Sequence, residues 1–185
     1  MIGFKRSGSG RQGYGMNTRN DQAPPMVRPL RWLWLSVVVI ALDLGTKALA
    51  SHWLNYADPV TVLPVFDLTL LHNTGAAFSF LADHAGWQRW FFATVAVGAS
   101  VALTLWMRRL RAHEKVLGAS LGAIIGGALG NLYDRMVHGY VIDFLSFHWG
   151  QYYFPAFNLA DTAITLGAIG LIWESFRDAR RKRAH

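Results

Sequence analysis

The sequence predicts an all-α membrane protein: four transmembrane helices, with a small β-rich cap and an interfacial segment on the extracytoplasmic side. Three observations lead there. Apolar residues make up 52% of the chain and gather in four long runs, as a bilayer requires and a soluble core does not. Trp32, Trp34, Trp87, Trp90, Trp106 and Trp173 stand near the run ends, where an aromatic belt meets the headgroups. Fifteen of the 18 Lys and Arg fall in three blocks: before or opening the first run, between the second and third, and after the fourth. By the positive-inside rule both termini and the 108–115 loop are cytoplasmic, and segments 51–86 and 138–158 face outward. The net charge of +7 is thus accounted for by topology and does not call for a nucleic-acid partner. With no cysteine in the chain, disulfides, thiolate metal sites and a cysteine nucleophile are excluded.

In chain order, residues 1–27 are polar and glycine-rich ("SGSGRQGYG") with a Pro24-Pro25 break. They read as a disordered tail, without the apolar stretch of a signal peptide, and Met16 or Met26 is an alternative start. A four-span domain follows over 28–178. Its spans are expected at about 30–50, 87–107, 116–134 and 159–176, each near the ~20 residues that cross a bilayer. Residues 179–185 form a basic cytoplasmic tail. Between the first two spans, "TVLPVFDLTLLHNTGAAFSF" (61–80) alternates as a strand does, then turns at Asn73-Thr74-Gly75. The aromatic "HWGQYYFPAFN" (148–158) is expected to lie at the interface. In the third span, Gly118, Gly122, Gly126 and Gly130 line one helix face, where another helix can approach closely. Gly127, off that face, leaves room for a backbone or a ligand.

Charges lie inside these runs. At ~1.5 Å per residue, Asp43 is about 18 Å beyond Arg31 and Lys47 about 24 Å. Asp134 is about 28 Å beyond Lys115, and Asp161 about 24 Å from Arg177. Asp143 follows the third span at a similar level. Charges from three spans therefore reach the outer part of a core ~30 Å thick, where each costs at least ~2.5 kcal/mol. Ordinary structural roles are open to most of them. Asp43 and Lys47 can pair at i, i+4. Asp134 and Arg135 can anchor a helix end or support a site. Asn158 and Asp161 have capping-box spacing. Asp143 could be an ion-pair partner. Two acids brought together have a further possibility. One keeps a proton while the other stays ionised; the ionised one can take a proton from water and the protonated one can polarise a carbonyl. A short loop separates Asp143 from Asp161. Other hydrolase patterns are missing: His113-Glu114 lacks the second histidine of a zinc motif, and no G-x-S-x-G elbow occurs. A proton- or ion-coupled carrier would also use buried charges, but would spread them through the inner half. A non-enzymatic scaffold would suit the glycine stripe and would tolerate Asp143→Asn.

Five motifs, in this order on four spans, resemble the lipoprotein signal peptidase family (signal peptidase II) over roughly residues 30–176. They are Asp43-x-x-x-Lys47; Asn73-Thr74-Gly75-Ala76-Ala77-Phe78; Gly126 through Arg135, "GGALGNLYDR"; Val141-Ile142-Asp143-Phe144; and Phe157-Asn158-Leu159-Ala160-Asp161. The resemblance implies an aspartic endopeptidase of the bacterial cytoplasmic (inner) membrane, its site near the periplasmic face. It would cut diacylglyceryl-modified prolipoproteins just before the lipidated cysteine, as a monomer, without metal or cofactor, among membrane lipids. Asp143 and Asp161 fall on the family's catalytic pair. Asn73, Gly75, Gly127, Asn131, Asp134, Arg135, Asn158 and Ala160 fall on its site-supporting positions, and Asp43 and Lys47 on its first-span motif. Globomycin-type cyclic peptides are its inhibitors. Residues ahead of about 28 lie outside the family pattern.

Overall fold

In a computed structural model, residues 29–75 and 87–183 are described. The expected N-terminal tail, the Ala76-Ala77-Phe78 end of the second motif and the last two residues lie outside them. Four helices are long and apolar enough to cross a membrane: α1 (Leu33–Trp53), entered through a 3-10 turn (Pro29–Trp32), α2 (Trp87–Met107), α3 (Lys115–Val137) and α4 (Leu159–Arg183). Their large apolar side chains point outward, among them Val37, Leu42, Val95, Val101, Leu166 and Ile169; hydrocarbon covers what water would not. The basic tail expected at 179–185 is helical as far as Arg183, its cations lying where the helix dipole favours them.

α3 is the central helix. It packs against α1, α2 and α4, and half of its most apolar window is buried against about a fifth for the others. Its glycines make this possible. A Cβ on Gly122 would lie 2.6 Å from Trp32 O, and one on Gly126 2.7 Å from Val39 Cβ. The expected glycine stripe is therefore the seam with α1. Ser36 crosses it by donating to Gly122 O at 2.7 Å. Gly127 serves the opposite seam: a Cβ there would collide with Ala160 O of α4. At one end of the bundle Met107, Leu110, Leu121 and Ile125 form an apolar core.

At the other end sits an antiparallel four-stranded sheet, β1 (Val60–Leu63), β2 (Phe66–Asn73), β3 (Val141–Trp149) and β4 (Tyr152–Tyr153), in that spatial order. β1 and β2 are the cap expected from the alternation in 61–73. β3 begins four residues after α3 ends; Gly139, at φ 84°, turns the chain between them. What sequence reading treated as a short loop with an interfacial stretch is thus mostly strand. β3 pairs along β2 with Leu71 opposite Asp143 and Asn73 opposite Val141, so the β2–β3 pair holds Asp143 at a fixed place above the bundle. Gly150, at φ 60°, makes the tight β3–β4 turn.

Candidate active site

The polar residues of α1, α3 and α4 meet beneath the sheet in two linked clusters. In the first, Lys47 uses all three ammonium protons. Its Nζ lies 2.7 Å from Asp43 Oδ2, 2.8 Å from Asp134 Oδ2 and 2.9 Å from Asn131 Oδ1. Each carboxylate of this cluster also accepts from backbone. Ala160 N–H donates to Asp43 Oδ1 at 2.9 Å, tying α4 to α1. Ile142 N–H donates to Asp134 Oδ2 at 3.1 Å, tying β3 to α3. The i, i+4 pair expected within α1 is present, and it also reaches α3. Asp134 is buried, so it supports the site and does not anchor the helix among headgroups.

The second cluster holds Asp143 and Asp161, and here amides replace the lysine. Asn73 Nδ2 donates to Asp143 Oδ2 at 2.9 Å, and Asn158 Nδ2 to Asp143 Oδ1 at 2.8 Å. Asn131 Nδ2 donates to Asp161 Oδ1 at 2.7 Å. The capping box forms as spaced: Asp161 N–H donates to Asn158 Oδ1 at 3.0 Å, and Asn158 N–H to Asp161 Oδ2 at 3.3 Å. Asn158 therefore holds both acids, Asp143 by its side-chain amide and Asp161 by its backbone. It also donates to Asn131 Oδ1 at 3.1 Å, so Asn131 and Asn158 join the two clusters. Among the described residues no Lys, Arg or His lies within ion-pair distance of Asp143 or Asp161. The ion-pair role open to Asp143 is not the one it has here.

Burial pushes the Asp143 carboxyl up to about 6; Asp161's charge acts in the same direction, against the Asn73 and Asn158 amides and Lys47. A carboxyl so placed holds or releases a proton near neutrality, which acid–base chemistry needs. Beside Asp161 opens an apolar groove of about 660 Å³, walled by Phe147, Phe154, Phe157, Thr162 and Leu166.

The site residues expected from the sequence lie toward this end of the bundle. Gly75 follows β2 at φ 92°, its N–H donating to Asn73 Oδ1 at 2.8 Å. That bond turns the Asn73 amide so that its NH₂ faces Asp143. Arg135 donates to Asn131 O at 3.2 Å. Gly127 and Ala160 set the α3–α4 approach. Sequence reading missed the contribution of α2. Arg89 donates to Met136 O at 2.7 Å, bracing the end of α3; a cation three residues into an apolar run was the signal for it. Phe92 lies under Arg135, and nothing in "WQRWFF" distinguishes it from the membrane belt. Two buried acids lie elsewhere among the described residues: Glu174 pairs with Arg177 near the far end of α4, and Asp67 of β2 lies 3.4 Å from His148 Nε2 of β3. No group of three or more His, Asp or Glu among the described residues is arranged to hold a metal ion.

Comparison with known proteins agrees with this architecture. The family described as signal peptidase (SPase) II matches residues 35–177. The lipoprotein signal peptidase of Vibrio vulnificus is 51% identical over 156 residues, covering 83% of this chain and 93% of its own. That of Yersinia enterocolitica is 53% identical over 156 residues, covering 84% and 92%. A solved bacterial membrane enzyme superposes with a TM-score of 0.71 at 28% identity, over 80% of this chain and 94% of that one.

Proposed function

The chain belongs to the signal peptidase II family, and we propose on that premise that Asp143 and Asp161 are the catalytic pair of an aspartic endopeptidase. The observation that carries this reading is the pairing of two carboxylates by amides alone, at the mouth of an apolar groove. The substrate is a prolipoprotein, and the bond cut is the one just before its diacylglyceryl-modified cysteine. Both termini are cytoplasmic, which puts the sheet and the pair at the periplasmic face. The lipid stays in hydrocarbon while the cleavage site rises to the acids, and the groove beside Asp161 takes apolar substrate surface.

The chemistry follows from one proton shared by two acids. The ionised carboxylate takes a proton from a water placed between the acids and the scissile carbonyl. The protonated carboxyl donates to the carbonyl oxygen as the water oxygen adds to carbon. Collapse of the tetrahedral intermediate passes a proton to the leaving nitrogen and returns the pair to its starting state. Asn73, Asn131 and Asn158 fix both acids without supplying a charge that would drive off the shared proton. Arg135, Asn131 and Gly75 border the path of the substrate backbone. Globomycin-type cyclic peptides compete for this site.

The test is cleavage of a diacylglyceryl-modified prolipoprotein beside its unmodified form, by the parent and by well-folded Asp143→Asn and Asp161→Asn proteins. Each substitution lowers kcat by at least about a thousandfold, and only the lipidated form is cut. Full activity in either folded variant removes that acid from the mechanism.

A further inference from the structure

α2 contributes to this site through an aromatic ring that lies against two of the motif residues, Arg135 and Gly75. The Arg135 guanidinium carbon lies 4.9 Å from the centre of the Phe92 ring. One edge of that ring faces the turn after β2: a Cβ added at Gly75 would lie 2.6 Å from Phe92 Cε2. Phe92 therefore neighbours both Arg135 of α3 and Gly75, and these two lead to the acid pair. Gly75 N–H orients Asn73, whose amide donates to Asp143. Arg135 is linked to Asp161 through Asn131, whose side-chain amide donates to Asp161 Oδ1, and it forms no ion pair within contact distance with Asp161, Asp143 or Asp134. Among the described residues its one direct hydrogen bond is to Asn131 O, at 3.2 Å. A guanidinium held by a single long bond needs another restraint to keep its direction, and the negative face of an aromatic ring supplies one.

We propose that Phe92 is a positioning residue for the reaction: its ring face holds the Arg135 guanidinium beside the Asp143–Asp161 pair, and its edge spaces the Gly75 turn that aims Asn73. Phe92 does not touch the reacting atoms; it acts through Arg135 and Gly75. The ring must be both flat and electron-rich. An aliphatic side chain of like volume fills the gap but leaves the cation free to swing toward the nearest carboxylate.

The inference rests on the aspartic reading above, which the Asp143→Asn and Asp161→Asn assay tests by itself. For Phe92 the measurement is kcat/KM on the lipidated prolipoprotein, in full-length purified proteins with matched melting temperatures. Phe92→Met lowers kcat/KM about tenfold, and Phe92→Tyr, which keeps the ring face, stays within about twofold of the parent. In an Arg135→Lys background Phe92→Met has a smaller effect than in the parent, because the part that acts through the stacked guanidinium is already lost. Should the methionine protein fail to fold, pentafluorophenylalanine at position 92 keeps the shape of the ring and reverses its charge distribution; it lowers activity as methionine does. Unchanged activity in the methionine or pentafluoro protein overturns the proposal. So does equal impairment by tyrosine and methionine, or a methionine effect undiminished beside Arg135→Lys.

Discussion

Two pairs of aspartates lie within one hydrogen-bond network and are treated in opposite ways. Asp43 and Asp134 share the ammonium of Lys47, and each takes a backbone N–H as well. Among the described residues, Asp143 and Asp161 receive only amide donors, from Asn73, Asn131 and Asn158 and from the Asn158 backbone. Asn131 bonds both Lys47 and Asp161, and Asn158 bonds both Asn131 and Asp143, so the two pairs share one network; what separates them is the donor type. A cation in contact favours the ionised carboxylate strongly, whereas a neutral amide orients a carboxyl and leaves its proton negotiable. The first pair therefore joins helices, and the second is left able to exchange a proton. The lesson for reading such sites is to ask what neutralises each acid before asking what it does.

The sharpest way to break this contrast is Lys47→Leu. It leaves Asp43 and Asp134 together, buried and without a cation, and both links from α1 to the rest of the network rest on that cluster. Loss of one partner of a buried ion pair costs about 3–5 kcal/mol, so the variant should accumulate poorly and melt far below the parent. Wild-type yield and melting temperature in detergent would show that the lysine is not what holds the helices. Asn at both 43 and 134 beside Lys47→Leu should restore much of the loss, since no buried charge then remains.

Much of this was legible in the residues alone. A charge in an apolar run announces itself, so counting residues from the basic blocks puts Asp43, Lys47, Asp134 and Asp161 about 18 to 28 Å in, in the outer part of the membrane. The glycine stripe announced a close helix seam, and the Asn158–Asp161 spacing announced a cap. Three features were not legible, each for a physical reason. Val141 to Phe144 are buried on both faces of β3, so the alternation that marks a half-exposed strand is absent there. The reach of Lys47 to Asp134 depends on the α1–α3 approach, which no spacing within one helix encodes. Phe92 lies in a run where every aromatic residue suits the membrane interface, and only the third dimension separates the one beneath Arg135 from its neighbours.

pH sharpens the contrast with a middle-sized effect. The Asp143 carboxyl stands at about 6 when folded, against about 3.8 for a free one. The folded pKa is the higher, so the group favours the native state fully below about pH 4, and that advantage is lost as pH rises through 6. The shift corresponds to at most about 3 kcal/mol. Between pH 4 and pH 7 the parent should therefore lose melting temperature that Asp143→Asn retains, whatever the other groups common to both proteins contribute. Activity should report the same group. The kcat/KM profile, which follows the free enzyme, falls on its alkaline side near 6, while that of kcat falls at higher pH because substrate displaces water from the carboxyl. Parallel melting curves for parent and variant across this range would mean that Asp143 is ionised as readily as an exposed acid, and the difference between the two aspartate pairs would vanish.

The smallest expected effect comes from the opposite kind of surroundings, and for that reason it calibrates the others. Ser36 donates to Gly122 O at 2.7 Å across the α1–α3 seam, buried and well clear of both acid pairs. No charge is involved, and the carbonyl it meets keeps its own helical partner. Ser36→Ala then removes one neutral hydrogen bond and leaves a small, apolar, correctly shaped seam. Bonds of this kind between membrane helices contribute about 0.6 kcal/mol, so the melting temperature should drop by a degree or two at most with kcat/KM unchanged. A loss as large as that of Lys47→Leu would place the stability of the bundle in its glycine seam and demote the lysine cluster to decoration. A loss within the expected range leaves the seam as close packing that brings α1 against α3, and the Lys47 cluster as what holds them there.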